Sequence, residues 1–396
     1  MPLAVYVLGL GIFTQGTSEF MLSGLLPDMA ADLGVSIPDA GLLISAFALG
    51  MVVGAPLLAV ATLRLPRRAT LVGLQVVFVA AHVVGALAPG YGLLFATRVI
   101  GAVAYAGFWA VAVATAVSLV PASAKSRAVA VVAGGLTLAT IVGVPAGTVL
   151  SQHASWRAAF WAVAAATVVS AVSTLLALPA DRAAKGGAEA PRSVRAEARG
   201  MARPALWLSY AVTAFTFGAV IVTFSYLASL LTDVTGIRDA WVPVLLALFG
   251  AGGLLGLVIG GRTAQVAPLA TLGWGLGALA VISGLLAVAA HTAVVVVVLV
   301  FALGVAGYVT NPALQSRVFT LAPAAPTLVG ATNTAAFNVG NTLAPLLGGL
   351  AIDAGLGYAS VAWVGAALAA VGLVGVLWAV RLERRAGSFV PVLQNS

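Results

Sequence analysis

Residues 3–26 read LAVYVLGLGIFTQGTSEFMLSGLL. A helix of about 20 apolar residues crosses a bilayer core of about 30 Å, and this stretch carries one ionisable side chain, Glu19. Met1-Pro2 supplies no basic n-region, so the segment is expected to be an uncleaved first span, not a signal peptide. Further apolar stretches of spanning length lie near 40–63, 69–88, 92–118, 128–151 and 158–179. Beyond a polar segment, six more lie near 205–231, 241–262, 267–289, 293–316, 328–352 and 360–380.

Composition agrees. Of 396 residues 62% are hydrophobic and only 8% charged, against roughly a quarter charged in soluble chains. No aqueous fold hides that much apolar surface, so lipid is the expected solvent. The strands of a membrane barrel would alternate polar and apolar residues, and these stretches do not. The expected class is an all-α membrane protein of twelve helices. Cysteine is absent, which excludes disulfides and thiolate chemistry. The three His and eleven acids are scattered, so neither a metal cluster nor an enzyme's converging side chains are expected. No Walker-type loop is present, and no cofactor is expected.

Charge placement predicts the orientation. With both termini cytoplasmic, sixteen of the nineteen Lys and Arg residues fall inside: Arg64, Arg67, Arg68, Lys125, Arg127, six within 181–203, Arg262, Arg317, Arg381, Arg384 and Arg385. Outside loops hold Arg157 and Arg238 against Asp28, Asp32, Asp39, Asp233, Asp239 and Asp353. This is the positive-inside pattern, and it accounts for the net charge of +8 without nucleic acid.

The halves repeat. Phe47-x-x-Gly50-x-x-x-Gly54 recurs as Phe249-x-x-Gly252-x-x-x-Gly256, Pro145 as Pro345, and Trp156 and Trp161 as Tyr358 and Trp363, at offsets of 200 to 202 residues. Two pseudo-symmetric six-helix bundles are expected, at 1–180 and 205–381, joined by a cytoplasmic linker at 181–204 and followed by a tail at 382–396. Such repeats place a transporter's substrate site between bundles near the midplane.

Once the loops are filled, Glu19 and Arg98 remain inside spans, with His82, which can stay neutral. A charge near the bilayer centre costs from about 2.5 kcal/mol upward, so such groups usually face a partner or a water-filled cavity. Glu19 lies seven residues before Leu26 and Arg98 seven after Tyr91. At 1.5 Å per residue both sit about 10 Å below the outer boundary. They meet if the first and fourth helices are neighbours. A carboxyl whose protonation follows the opening of a cavity can load a proton on one side and release it on the other; a static pair would only orient the two helices.

Gln15 shares a helix face with Glu19. Thr334, Asn338 and Asn341 form another polar row, as do Thr216, Thr223 and Tyr226, and Asn311 with Gln315. These rows read as cavity lining or as interhelical glue. Tyr105, Phe108 and Trp109 offer an aromatic wall suited to an apolar ligand.

Over its whole length the chain resembles the major facilitator superfamily, in particular its twelve-helix drug:proton antiporters. Gly143-Val144-Pro145-Ala146-Gly147, preceded by Gly135, is similar to the antiporter signature, and Leu94-x-x-x-Arg98-x-x-Gly101 to the fourth-helix motif whose Arg is implicated in proton transfer. The family's usual Gly is here Ala102. Trp156 to Trp161 matches the opening of the sixth helix. The loop Leu63-Arg64-Leu65-Pro66-Arg67-Arg68 lacks the family's acid and Gly, so its gating contact does not carry over. Gln15 to Met29 most resembles the first helix of actinobacterial chloramphenicol-resistance exporters. The resemblance implies proton-driven drug export, with chloramphenicol as the expected drug, from the bacterial plasma membrane by a monomer, with Glu19 and Arg98 in proton coupling. Sugars, nucleosides and other metabolites are the alternative substrates within the superfamily, and import the alternative direction.

Overall fold

The computed structural model describes residues 1–62, 65–178, 201–323 and 325–385. Arg64, most of the 181–204 linker and most of the 382–396 tail lie outside them. Among the described residues there is no strand, and eleven helices are long and apolar enough to cross a membrane. The first span completes twelve as Leu3–Phe20 with a 3-10 turn over Met21–Gly24, and a short helix, Leu26–Leu33, carries Asp28 and Asp32 beyond it.

The second to fourth helices are Ile37–Ala61, Arg67–Ala86 and Tyr91–Ser118. The fifth runs Lys125–Leu138, widens into a π-turn at Ala139–Gly143 and continues as Val144–His153; the sixth is Trp156–Ala177. Pro145, at the start of the continuation, has no N–H to donate back, and the π-turn absorbs the missing bond. The seventh helix, Pro204–Ser225, breaks at Tyr226 before Leu227–Ser229. Val242–Val266 and Pro268–Val288 follow. The tenth helix is split into Ala293–Val309 and Asn311–Leu321, with Pro312 opening the second piece. Pro326–Ala351 and Ser360–Arg385 are the last two.

These helices form two compact units. One lies within Met1–Ala188 together with Ser225–Thr232 and Ile237–Ala247; the other within Glu189–Phe224, Asp233–Gly236 and Leu248–Ser396. In the first, the second and third helices lie along the fourth, the third also along the sixth, and the first along the fifth and sixth. In the second, the ninth lies along the tenth and twelfth.

The repeated glycines have one job in both units. A Cβ on Gly50 would come within 2.6 Å of the Val99 carbonyl oxygen, and one on Gly54 within 2.7 Å of Val103 Cα, so the second and fourth helices touch backbone to backbone. In the second unit Gly252 and Gly256 press against the carbonyls of Phe301 and Val305 on the tenth helix. Small residues are what membrane helices use for such approach. Large apolar side chains such as Leu57, Leu176, Val294 and Trp378 are exposed, as a lipid solvent allows.

Candidate functional site

The first helix buries a polar run, Thr14, Gln15, Thr17 and Ser18, with Glu19 partly exposed beside it. It is seated on the fifth helix by the glycines of the antiporter-like stretch. A Cβ on Gly135 would meet the Gly9 carbonyl and sit 3.0 Å from Phe13 N; on Gly143, 2.8 Å from Thr17 Cγ2; on Gly147, 3.3 Å from Met21 Cβ. Gly135, Gly143 and Gly147 therefore form one contact row, and Pro145 stands among them in sequence, at the start of the helix piece that follows the π-turn.

Arg98 is 2% exposed and reaches the first helix. Its Nη1 donates to Ser18 Oγ at 2.7 Å and its Nη2 to the Ser18 carbonyl at 3.0 Å. Nε points to the Leu43 carbonyl at 3.4 Å, and the guanidinium lies 4.3 Å from the centre of the Phe47 ring. Glu19, next in sequence to Ser18, interacts with Arg98 electrostatically without the close ion-pair contact that joins Arg157 to Asp32 or Arg317 to Glu383. The first and fourth helices thus do meet at the depth of these two residues, with serine as the direct contact.

Sequence reasoning named the third member, His82, only as a span residue that can stay neutral, and gave it no role. His82 Nε2 lies 2.6 Å from Ser18 Oγ, and its Nδ1 2.9 Å from the Phe78 carbonyl. A His inside a span was the available signal; its value depended on knowing what stood opposite.

The remaining expected residues divide between the units. In the first, Gln15 donates through Nε2 to the Gly11 carbonyl at 3.2 Å, while its wholly buried Oε1 has no partner. The Tyr105 hydroxyl is likewise buried without a partner. Trp109 stands edge-on to Tyr105 at 6.2 Å. Tyr226 is buried in this unit too, its hydroxyl 2.5 Å from a Cβ built on Gly41. In the second unit Asn338 donates to the Thr334 carbonyl at 3.0 Å, and its Oδ1 and that of Asn311 are buried and unpartnered. A buried polar atom without a partner costs roughly 1–3 kcal/mol, so these groups suit a bound polar molecule or water better than a dry helix contact.

Arg317, counted above as a loop charge, is corrected by the structure. It is 8% exposed, pairs with Glu383 at 2.8 Å and donates to Ser209 Oγ at 3.1 Å. A cation within a helix end that packs on two neighbours behaves as a core residue.

The Major Facilitator Superfamily pattern matches residues 8–336. The chain belongs to the Major Facilitator Superfamily. It is 41% identical over 374 residues to a chloramphenicol resistance protein of Streptomyces lividans, covering 94% of this chain and 95% of that one. It is 36% identical to the inner membrane transport protein YdhP of Escherichia coli K12, over 95% of each. Among solved structures, a bacterial homolog of the human lysosomal transporter Spinster, in an inward-facing and unoccupied conformation, superposes with a TM-score of 0.79 at 17% identity, over 97% of both chains. The nucleoside transporter NupG, as a mutant, does so at 0.77 and 14% identity, over 95% and 99%. At those identities the likeness is one of fold. As a member of this superfamily the protein is a multi-pass membrane transporter.

Proposed function

We propose that this transporter exports a small neutral drug, with chloramphenicol as the first substrate to test, in exchange for protons. The observation that carries the reading is a lone carboxyl, Glu19, on a buried polar helix face, one residue from the serine that anchors the buried Arg98. Sequence similarity to a chloramphenicol resistance protein over nearly the whole chain supports the choice of substrate.

In this reading, substrate enters a cavity open to the cytoplasm while Glu19 gives up its proton there. After the cavity reopens outward, Glu19 takes a proton from outside and the substrate leaves. The membrane potential contributes about 2.3 kcal/mol per charge per 100 mV, enough for tenfold accumulation ratios without nucleotide or cofactor. Gln15, Tyr105, Trp109, Tyr226, Asn311 and Asn338 are assigned to the substrate. The basic residues set both termini in the cytoplasm of a bacterial cell, with 181–204 as linker between two bundles, and the working unit is a monomer.

The test is chloramphenicol accumulation in a drug-sensitive host. Wild type is expected to lower it, a protonophore to abolish the effect, and Glu19→Gln and Arg98→Ala to lose it while still inserting. If Glu19→Gln exports the neutral drug as well as wild type, the coupling role is wrong.

A further inference from the structure

The hydrogen bonds around His82 have only one consistent direction. The Phe78 carbonyl can only accept, so Nδ1 carries the hydrogen. In the neutral ring Nε2 then accepts, and the Ser18 hydroxyl donates to it across 2.6 Å. Arg98 has only hydrogens to offer, so Ser18 Oγ accepts from it at 2.7 Å while the Ser18 carbonyl accepts a second at 3.0 Å. The ring itself is held in place, stacked on Phe78 at 4.1 Å and against Phe160 at 5.5 Å. The chain of donors therefore runs from Arg98 through Ser18 to His82 and ends on backbone.

Building on the antiport reading above, we propose that Ser18 and His82 form a docking post that holds the Arg98 guanidinium off the Glu19 carboxyl while Glu19 carries a proton and yields it once the proton leaves. A protonated carboxyl competes poorly with the Ser18 carbonyl and hydroxyl. A carboxylate one residue away competes well, because it meets the guanidinium with an opposite charge and can accept two parallel N–H bonds, where Ser18 offers only neutral oxygens. His82 is a positioning residue here: by accepting the serine's hydrogen it turns the Oγ lone pairs toward Arg98. The titratable groups facing this chain are Arg98 and Tyr105 from the fourth helix and Glu19 from the first. The second helix contributes Phe47 and the Leu43 carbonyl, and the sixth contributes Phe160.

The experiment measures chloramphenicol-driven proton release from reconstituted protein as a function of pH. Ser18→Ala and His82→Leu free Arg98 to pair with Glu19, so their midpoints are expected to move to lower pH by about one unit. His82→Gln keeps an uncharged acceptor at similar reach, and its midpoint is expected to stay at the wild-type value. Midpoints unchanged in both Ser18→Ala and His82→Leu overturn the docking post, whatever happens to rate or yield. So does a His82→Gln midpoint displaced as far as that of His82→Leu, which would make titration of His82 itself the cause. If His82→Leu does not accumulate, Ser18→Ala carries the comparison. Wild type that releases no proton on adding chloramphenicol brings down the antiport reading and this inference together; coupled wild type with immobile midpoints brings down this inference alone.

Discussion

Gly143 on the fifth helix faces Thr17 on the first so closely that a methyl group added at 143 would lie 2.8 Å from Thr17 Cγ2 and 2.9 Å from its Cβ. Thr17 has little room to yield, since its hydroxyl is tied to the Phe13 carbonyl at 2.7 Å. Gly143→Ala is expected to cost about 1–3 kcal/mol through overpacking. Thr17→Ala in the same chain removes the obstructing atoms and is expected to recover at least half of the loss. Thermal unfolding of the two single variants and the double variant in detergent reads the coupling; additive losses would show that the two side chains do not meet.

The repeated glycines of the second unit make a sharper comparison. A Cβ at Gly256 meets the backbone of Val305, with Cα at 3.1 Å, whereas one at Gly277 meets nothing within 4 Å. Gly256→Ala is expected to destabilise by about 1–3 kcal/mol because backbone cannot rotate away. Gly277→Ala is expected to be neutral or to gain up to about 1 kcal/mol from helix propensity. Equal melting temperatures for the two variants would contradict the close packing of the eighth and tenth helices.

Removing Glu383 leaves the Arg317 charge in a largely apolar setting with Ser209 as its neutral partner. Glu383→Gln is expected to lower stability by on the order of 2 kcal/mol, less than for a fully buried pair because Glu383 is 29% exposed. Arg317→Met, which removes the buried charge, should cost less than Glu383→Gln. The reverse order in unfolding experiments would mean that Arg317 is solvated and not part of the core.

At the far end of the first helix, the Arg157 guanidinium and the Trp156 indole N–H both donate to Asp32 and hold its carboxyl below the usual carboxylate range. A carboxyl depressed in the folded state contributes stability above its unfolded value of about 3.9, and loses it as pH falls through the folded value. Wild type is therefore expected to melt above Asp32→Asn at neutral pH, by a small margin because the pair is exposed. The margin should shrink below about pH 4. A margin that persists undiminished to about pH 3 would count against the contact.

Much of this protein is set by terms that add up residue by residue. Transfer of side chains to lipid marks twelve spans, basic residues mark the expected cytoplasmic side, and a carboxyl too costly for lipid marks Glu19, all without knowing what lies beside what. The glycine repeats are visible for the same reason, as a spacing along one chain. Partnership is different, because it depends on which atoms converge from distant segments and on the direction of each hydrogen bond. Only the tertiary structure shows that Arg98 is anchored by Ser18, that His82 stands behind that serine, and that the antiporter-like glycines seat the first helix on the fifth. It likewise turns Arg317 from a loop charge into a buried one, since a helix end is wet or dry according to the helices around it and not according to its own hydropathy.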